Sequence, residues 1–305
     1  QGTGGAIDTT GATITTGVVS GSGSLQKKGS GTLVLTNLNN QGFTGDTTIS
    51  EGKVQINSSA GLGAGTNSKL VLDGGSLQVV SGGTGAIDID LAKDTVITSN
   101  NGTVDTSDNN VKLLGAVSGV GQLVKSGSGT FNLANEGNTF EGGVRIKEGT
   151  LEVNGDGALG KADTKVILDG ATLAITKNTE LQRQIILTEK GGTVAVTEGE
   201  ATLKGKLTLD SGAYSADFTK AGAGVLNLTQ NNTNGSFKGN TTIKEGTLGI
   251  TNQDNLAEGK LFLEGGNLRT NESLTFNKEI IINTKGGIDT ANNDVTVSSK
   301  IQGNG

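Results

Sequence analysis

The chain has 305 residues, of which 52 are Gly, and it contains no Pro, Cys, Met, Trp or His. The absence of Cys and His excludes a disulfide framework, a thiolate metal site, a thiol nucleophile and a His general base. The formal net charge of −6 gives no electrostatic reason to expect nucleic acid or an anionic membrane surface as a partner. A hydrophobic content of 32% with few large side chains favours a long, thin core of Val, Ile and Leu.

Internal repeats organise the chain. The first copy reads SGSLQKKGSGTLVL at 22–35, the second VGQLVKSGSGTFNL at 120–133, and the third FTKAGAGVLNL at 218–228. A Phe follows each of these segments, and an Ile comes six residues after each Phe: Phe43 and Ile49, Phe140 and Ile146, Phe237 and Ile243. We predict that each Phe anchors the return of the loop that precedes it.

The copies then continue in register. ISEGKVQI at 49–56 matches IKEGTLEV at 146–153 and IKEGTLGI at 243–250, and each is followed by a Leu and by a second Gly-containing turn. The repeats therefore divide the chain into residues 1–18, 19–116, 117–207, 208–300 and 301–305, which we expect to form one continuous solenoid. The outer two pieces resemble the end and the start of further copies, so we expect the chain to be part of a longer array.

Within each copy the apolar residues alternate with polar ones. Leu33 and Leu35 are two residues apart, as are Val54 and Ile56, so each pair would lie on one face of a strand. No stretch of 11–18 residues has apolar residues at the spacing of a helix. Dipeptides such as Asp73-Gly74 end the short runs, because Gly accepts the positive φ of tight turns. A hairpin sandwich would use the same turns, but many short strands in a repeat of about 96 residues suit a coil of roughly 20–30 residues per turn.

The predicted fold class is therefore all-β, a parallel β-helix (β-solenoid) with roughly 10–15 turns. We expect one continuous narrow core, with Thr and Asn ladders on aligned strands. The core positions are Leu33, Leu35, Ile49, Val54, Ile56 and their counterparts in the second and third copies.

At this point the chain resembles a known family, the passenger-associated transport repeat of bacterial autotransporters. The matching residues of the first copy are Gly21, Gly23, Leu25, Gly29, Gly31, Thr32, Leu33, Leu35, Phe43, Gly45, Thr47, Ile49, Gly52 and Val54. The second copy matches nearly as well, whereas Tyr214–Phe218 replaces the opening Gly pair in the third. The resemblance implies a right-handed β-helix outside a Gram-negative cell, either secreted or held by an outer-membrane barrel of the parent protein.

Candidate chemistry is sparse. Asp210-Ser211-Gly212 is similar to the surroundings of a protease Ser, but the chain has no His, so a turn is the better interpretation. Acids recur at two places in every copy, Glu51, Glu148 and Glu245 at one and Asp73, Asp169 and Glu264 at the other. A catalytic acid is needed once, whereas a turn residue is needed at every turn. The acidic turns at 106–110 and 292–294 lack the repeat of calcium-binding β-rolls. The Gly pairs near Lys27 and Lys125 are not phosphate-binding loops, because no Gly-Lys-Ser or Gly-Lys-Thr sequence follows them.

We therefore predict no catalytic residue, no cofactor and no metal site, and a protein that is not an enzyme. The leading hypothesis is an adhesin or surface-display stalk that contacts a host-cell or matrix protein, a glycan or neighbouring cells. The alternatives are a structural spacer or filament-forming protein with head-to-tail self-association and, third, a polysaccharide-active enzyme.

Overall fold

The computed structural model describes residues 4–83, 85–232 and 237–304, so residues 1–3 and Gly305 of the two predicted end fragments lie outside it. The residues group into two compact units. The first unit comprises Gln1–Leu151 with Gly157–Thr164, and the second comprises Glu152–Asp156 with Lys165–Gly305. The described residues contain strands and four short 3₁₀ helices, at Asn40–Gly42, Ser59–Leu62, Asp156–Leu159 and Gln253–Asn255.

The strands are short, with three to five residues each. In the first half of the chain they are β1 (Gly5–Asp8), β2 (Thr13–Thr15), β3 (Leu25–Lys28), β4 (Thr32–Val34), β5 (Thr47–Ile49), β6 (Lys53–Ile56), β7 (Leu70–Leu72), β8 (Ser76–Val79), β9 (Asp88–Leu91), β10 (Thr95–Ile97), β11 (Gly102–Asp105), β12 (Asn110–Leu113), β13 (Val117–Gly119), β14 (Leu123–Ser126), β15 (Thr130–Leu133), β16 (Val144–Ile146) and β17 (Thr150–Val153). In the second half they are β18 (Val166–Leu168), β19 (Thr172–Ile175), β20 (Thr179–Leu181), β21 (Ile185–Leu187), β22 (Gly192–Val196), β23 (Glu200–Leu203), β24 (Leu207–Leu209), β25 (Phe218–Ala221), β26 (Val225–Leu228), β27 (Thr241–Ile243), β28 (Thr247–Ile250), β29 (Leu261–Leu263), β30 (Asn267–Thr270), β31 (Leu274–Phe276), β32 (Ile280–Ile282), β33 (Gly287–Asp289), β34 (Val295–Val297) and β35 (Ile301–Gly303).

Parallel pairing stacks these strands one turn above another. In the first unit Leu25 pairs with Thr47, Thr47 with Leu70 and Leu70 with Thr95, so the chain advances 22, 23 and 25 residues per turn. In the second unit Leu261 pairs with Ile280, an advance of 19 residues. Such a register belongs to a coil that climbs turn by turn, because hairpins would pair their strands antiparallel. The predicted β-solenoid is confirmed, with about 13 turns.

The core follows the alternation seen in the sequence. Leu33, Ile49, Val54 and Ile56 are fully buried, and Leu35 is 1% exposed. Their counterparts in the other two copies are buried as well: Phe131, Leu133, Ile146, Leu151, Val153, Leu226, Leu228, Ile243, Leu248 and Ile250. Successive side chains of a strand point to opposite faces, so these residues fill the interior while their neighbours face outward. The predicted core positions are confirmed.

The three recurring Phe residues, which we predicted to anchor the loops before them, are buried. Phe140 and Phe237 are fully buried and Phe43 is 3% exposed. The carbonyl oxygen of each accepts a backbone hydrogen bond from the next turn, from Ala64 at 3.1 Å, from Lys161 at 3.0 Å and from Glu258 at 2.9 Å. Each ring is therefore fixed by its burial and by the main chain beside it.

The Gly of the Glu-Gly turns is required for two reasons. Gly52, Gly149 and Gly246 have φ values of 61°, 64° and 65°, which disfavour residues with a Cβ. A Cβ at Gly149 would also lie 2.4 Å from the carbonyl oxygen of Gly129 on the preceding turn. The turns of the solenoid thus approach each other too closely for a side chain at this position.

The 3₁₀ helices were not predicted. Leu62 and Leu159 end two of them and Leu256 follows a third, so the Leu that recurs after each Glu-Gly block is a buried residue at a helical turn. Three or four residues are too few to show a helical period in the sequence.

Candidate functional site

The recurring Glu residues at the first turn position have exposed side chains, but their main-chain carbonyl groups accept hydrogen bonds. Glu51, Glu148 and Glu245 all have exposed side chains. Their carbonyl oxygens each accept a hydrogen bond of 3.1 Å from a Lys ammonium, that of Lys27, Lys125 or Lys220.

These three Lys side chains are fully buried, although a charged residue in a sequence ordinarily indicates a solvated position. In every copy the Nζ donates to three main-chain carbonyls rather than to a carboxylate. The Lys125 Nζ donates to Ser126 O at 2.9 Å, to Gly127 O at 2.6 Å and to Glu148 O at 3.1 Å. The acceptors of the other two are Lys28, Gly29 and Glu51 for Lys27, and Ala221, Gly222 and Glu245 for Lys220. We call each such arrangement a lysine cage.

The cages change the acidity of the lysines. Burial lowers the pKa of Lys125 to about 8, against the opposing pull of the Asp105 and Glu148 carboxylates. Burial likewise lowers the pKa of Lys220 to about 8, and Glu245 opposes it. The pKa of Lys27 is lowered for the same reason, with Asp8 and Glu51 acting in the opposite direction. Removing an ammonium from water favours its neutral form, which accounts for the common direction.

The second set of recurring acids links each turn to the next. Asp73 Oδ1 accepts hydrogen bonds from the Thr98 hydroxyl at 2.5 Å and from Asn100 Nδ2 at 2.9 Å, and these bonds lower the pKa of Asp73. At the equivalent places, Asp169 Oδ1 accepts from the Thr188 hydroxyl at 2.9 Å, and Glu264 Oε1 accepts from Asn283 Nδ2 at 3.3 Å. These contacts support the interpretation of the acids as turn residues.

The remaining candidates occupy turns. Ser211 and Gly212 are exposed, Gly212 has a φ of 92°, and the Ser211 amide donates to Asp210 Oδ1 at 2.9 Å. In the turn at 106–110, Asn109 is fully buried; its Nδ2 donates to Val79 O and Thr106 O, and its Oδ1 accepts from the Ile87 amide, each at 3.0 Å. Both polar atoms of the Asn109 side chain are therefore hydrogen-bonded to main-chain groups.

The turn at 292–294 is likewise held by the main chain, since Asn293 Nδ2 donates to Thr270 O at 2.9 Å. Among the described residues no group of three or more acids is placed to hold a metal ion. None of the helices in the described ranges has the length and apolar character needed to cross a membrane.

Outward-facing side chains form hydrogen-bonded ladders along the strands. Gln55 Nε2 donates to Gln78 Oε1 at 3.0 Å, and Gln78 Nε2 donates to Asp105 Oδ2 at 2.9 Å. An Asn pair also bonds, Asn271 Nδ2 to Asn227 Oδ1 at 3.2 Å. Such ladders were predicted for Thr and Asn. The ladder that joins Gln55, Gln78 and Asp105 uses Gln and Asp instead.

A buried ion pair in the second unit was also missed. The Arg183 side chain has no exposed surface, and its Nε donates to Asp156 Oδ1 at 2.8 Å. A second nitrogen donates to Asp156 Oδ2 at 3.1 Å and to Asp156 O at 2.8 Å. The pair occurs in one copy and joins residues 27 positions apart, so neither repetition nor spacing could have indicated it.

Comparison with known proteins places these features in a family. The model of the family described as "Passenger-associated-transport-repeat" matches residues 25–56, 123–153 and 218–250. Each matched segment contains one lysine cage, with its Lys and the Glu whose carbonyl oxygen it binds.

Two curated relatives carry the same indication. The Adhesin BmaC autotransporter of Brucella suis biovar 1 (strain 1330) is 33% identical over 209 residues, covering 68% of this chain and 6% of that protein. The Probable autotransporter YfaL of Escherichia coli (strain K12) is 28% identical over 261 residues, covering 76% of this chain and 21% of that protein. The chain thus spans a small part of the length of these relatives. No solved structure matches it.

Proposed function

The chain is an autotransporter passenger segment with three passenger-associated transport repeats, and from that premise we propose that it acts as a non-enzymatic adhesin segment. Passenger segments work at the cell surface or in the extracellular medium, so the surface that matters is the one the solenoid turns outward. Its contacts would be with a host-cell or matrix component or with neighbouring cells, and the parent protein would hold it at the outer membrane.

One observation carries the proposal: the three copies keep apolar side chains at the inward strand positions, whereas several of the residues on the outward side differ in chemical type. Val54, Leu151 and Leu248 occupy the same inward position and are all fully buried. The next residue in each strand is on the outward side of the sheet. It is the half-buried Gln55 in the first copy, the half-buried Glu152 in the second, and in the third Gly249, which the Asn227 and Asn271 side chains cover. A neutral amide, a carboxylate and no side chain at all give each copy a different surface on the same frame. Surface variation of this kind supports recognition by contact.

The placement of the acids supports a non-enzymatic role. The recurring carboxylates Asp73, Asp169 and Glu264 bond to the next turn of the solenoid, where they serve the frame. A glycosidase needs two carboxylates facing one another across a bound sugar, one of them with a raised pKa. The pKa of Asp73 is lowered instead, by the hydrogen bonds that hold it.

The test is adhesion of beads. Beads coated with the purified chain should bind host epithelial cells or matrix in a saturable way, and the free chain should compete. Beads coated with an unrelated β-solenoid of similar charge serve as the control. Binding no greater than that control would overturn the adhesin proposal, and end-to-end polymers in sedimentation over a concentration series would then favour the filament alternative.

A further inference from the structure

A side-chain oxygen caps one particular main-chain amide in the second and third copies. In the second copy the Gln182 amide donates to Asp156 Oδ1 at 3.2 Å, and in the third the Asn277 amide donates to Gln253 Oε1 at 2.9 Å. Gln182 directly follows β20 and Asn277 directly follows β31, and each of these strands is the end strand of its sheet. The two copies therefore satisfy the same exposed strand edge in the same way.

Ala92 is the counterpart of these two residues in the first copy. It directly follows β9, which is the end strand of the 11-stranded sheet. The Leu91 carbonyl oxygen accepts a bond of 2.7 Å from the Leu114 amide of the next turn. Because the C=O and N–H of one trans peptide group point in opposite directions, the Ala92 amide faces the preceding turn.

Ser59 stands where the other two copies have the capping residue. Ser59, Asp156 and Gln253 each lie three positions before the Leu that recurs after the Glu-Gly block. The Ser side chain is shorter than that of Asp or Gln, and Ser59 is exposed. Within the described ranges of the chain, the Ala92 amide has no hydrogen-bond acceptor. The first copy thus presents to the outside a donor that the other two satisfy internally.

A recess of about 390 Å³ lies beside this amide, within the first unit. Ser59 and Ala60 line it from the 3₁₀ helix, and Leu91, Ala92 and Lys93 line it from the end of β9. The volume is within the range of small ligand sites. The recess therefore combines an apolar wall with the amide of Ala92 and one basic residue.

The second copy shows what an amide followed by a basic side chain holds. The Asp156 carboxylate that caps the Gln182 amide also accepts a hydrogen bond of 2.8 Å from Nε of Arg183, the next residue. The main-chain carbonyl oxygen of Asp156 accepts a further bond of 2.8 Å from Arg183. One acidic residue is thus held both by its carboxylate and by its main chain.

Lys93 gives the first copy the same order of donors. It directly follows Ala92, as Arg183 follows Gln182. Its Nζ donates to Gly65 O at 3.2 Å and to Ser68 Oγ, and an ammonium has a third proton to donate. A carboxylate in the recess would therefore meet an amide and an ammonium, the pair of donors that holds Asp156 in the second copy.

Asp90 also lines the recess, and its charge does not exclude a carboxylate there. Lys112 lies opposite Asp90 in the parallel pair of β9 and β12, so a cation accompanies this acid. In the second copy the corresponding acid is Glu180, two positions before Gln182. Glu180 is present together with the Asp156 carboxylate, which shows that the frame accepts both charges.

We propose that the recess between the Ser59–Leu62 helix and β9 binds an Asp or Glu side chain of a partner protein. The inference rests on the proposed adhesin function and specifies its partner class. The carboxylate accepts hydrogen bonds from the Ala92 amide and the Lys93 ammonium, and the methylene groups of the side chain pack against Ala60 and Leu91.

Two observations favour a protein over an acidic glycan. The acidic residue held in the second copy, Asp156, uses its main-chain carbonyl as well as its carboxylate. In addition, the main-chain groups of Asp88 and Asp90 lie on the same side of β9 as the Ala92 amide, because β12 pairs with the other side. An extended peptide can add to a strand edge of this kind through its own main chain.

The experiment titrates the whole chain with short blocked peptides of Ala and Ser that carry a central Asp, Glu or Asn, and it follows binding by calorimetry or NMR. Glucuronic acid and N-acetylneuraminic acid form the sugar arm. The Asp or Glu peptide should bind about tenfold or more tightly than the Asn peptide, which is the loss expected for one good charged contact.

S59D is the decisive variant, because it supplies from within the chain the carboxylate that the second copy has. It should weaken binding of the acidic peptide about tenfold or more and raise the melting temperature, since the Ala92 amide gains an internal acceptor. S59A is its control and should change neither quantity. K93M should weaken binding about tenfold, whereas K69M, which removes an exposed Lys outside the lining, should leave the affinity unchanged.

The outcomes separate the two proposals. Acidic-peptide binding that S59D and K93M reduce and that S59A and K69M preserve supports the site. Equal affinity for the Asp and Asn peptides, full affinity in S59D, binding of the acidic sugars alone, or no binding of any probe overturns it. If beads coated with the chain still adhere to cells in these cases, the adhesin function stands and acts through another surface. If the peptide results hold but the beads adhere no better than their control, the recess stands and the adhesin proposal fails.

Discussion

The Nζ of Lys125 donates a hydrogen bond of 3.1 Å to the carbonyl oxygen of Glu148, 23 residues further along the chain and one turn further along the solenoid. The same bond, with the same length, joins Lys27 to Glu51 and Lys220 to Glu245. Since the other two acceptors of each ammonium lie next to the Lys in the chain, the cage fixes a local turn and the following turn at once. The cage therefore sets the stacking of successive turns at the point where each family repeat occurs.

Replacing Lys125 with Met should destabilise the chain. Met fills nearly the same volume but donates nothing, so the carbonyls of Ser126, Gly127 and Glu148 lose a charged donor. We expect the free energy of unfolding to fall by about 2–3 kcal/mol. This value is the stabilisation from the three charge-assisted hydrogen bonds minus the cost of burying the ammonium, which the substitution removes. Urea denaturation measures it. The exposed Lys147 provides the control, since K147M should change stability by less than about 0.5 kcal/mol. Equal stability of K125M and the parent would show that the cage is not stabilising.

The lysine cages also predict a pH dependence. The folded pKa of Lys125 and Lys220 is about 8, and the ordinary value is 10.5. Below pH 8 both states hold the proton, so these groups add no pH dependence there. Between pH 8 and 10.5 the folded state has lost protons that the unfolded state still holds, so their contribution to stability rises with pH. The stability gap between the parent chain and K125M should therefore widen by ~1–3 kcal/mol across this window. A gap that narrows would mean that the three carbonyls raise the pKa of the ammonium.

The sequence predicted the solenoid and its apolar core because the repeats indicate the stacked turns, and the alternation of apolar and polar residues indicates which side chains face inward. Leu33, Ile49 and Val54 show the inward parity directly, and the second and third copies repeat it. The lysine cages were missed because a charged residue ordinarily indicates a solvated position. A signal was nevertheless present: Lys27 shares the parity of Leu25, and the Lys recurs at that place in all three copies. The stacking of the eight-residue loop at 210–217 on the four-residue turn at 188–191 could not be predicted, because comparing the two lengths requires the pairing register to be known.

Replacing Phe140 with Ala should cost about 3–5 kcal/mol, because the ring is fully buried in a narrow core with little room to collapse. F262A is the matched control. Phe262 lies on the outward side of β29 and is only partly buried, so its loss should cost clearly less. Denaturant unfolding followed by circular dichroism compares the two. Similar losses for both variants would show that the buried ring does not anchor the loop.

The Arg183–Asp156 pair tests what a buried ion pair contributes. D156N keeps the shape of the side chain but removes the charge, and it leaves a guanidinium with no exposed surface beside a neutral amide. Breaking such a pair on one side typically costs about 3–5 kcal/mol, whereas replacing both partners costs far less. We therefore expect D156N to lose stability by that amount and the double variant R183M/D156N to recover part of it. The coupling energy of the double-mutant cycle should exceed ~1 kcal/mol, well above the value for independent sites. If the double variant is instead as unstable as the sum of the single ones, the two side chains act independently, and the loss in D156N would come from the Asp156 contact to the Gln182 amide.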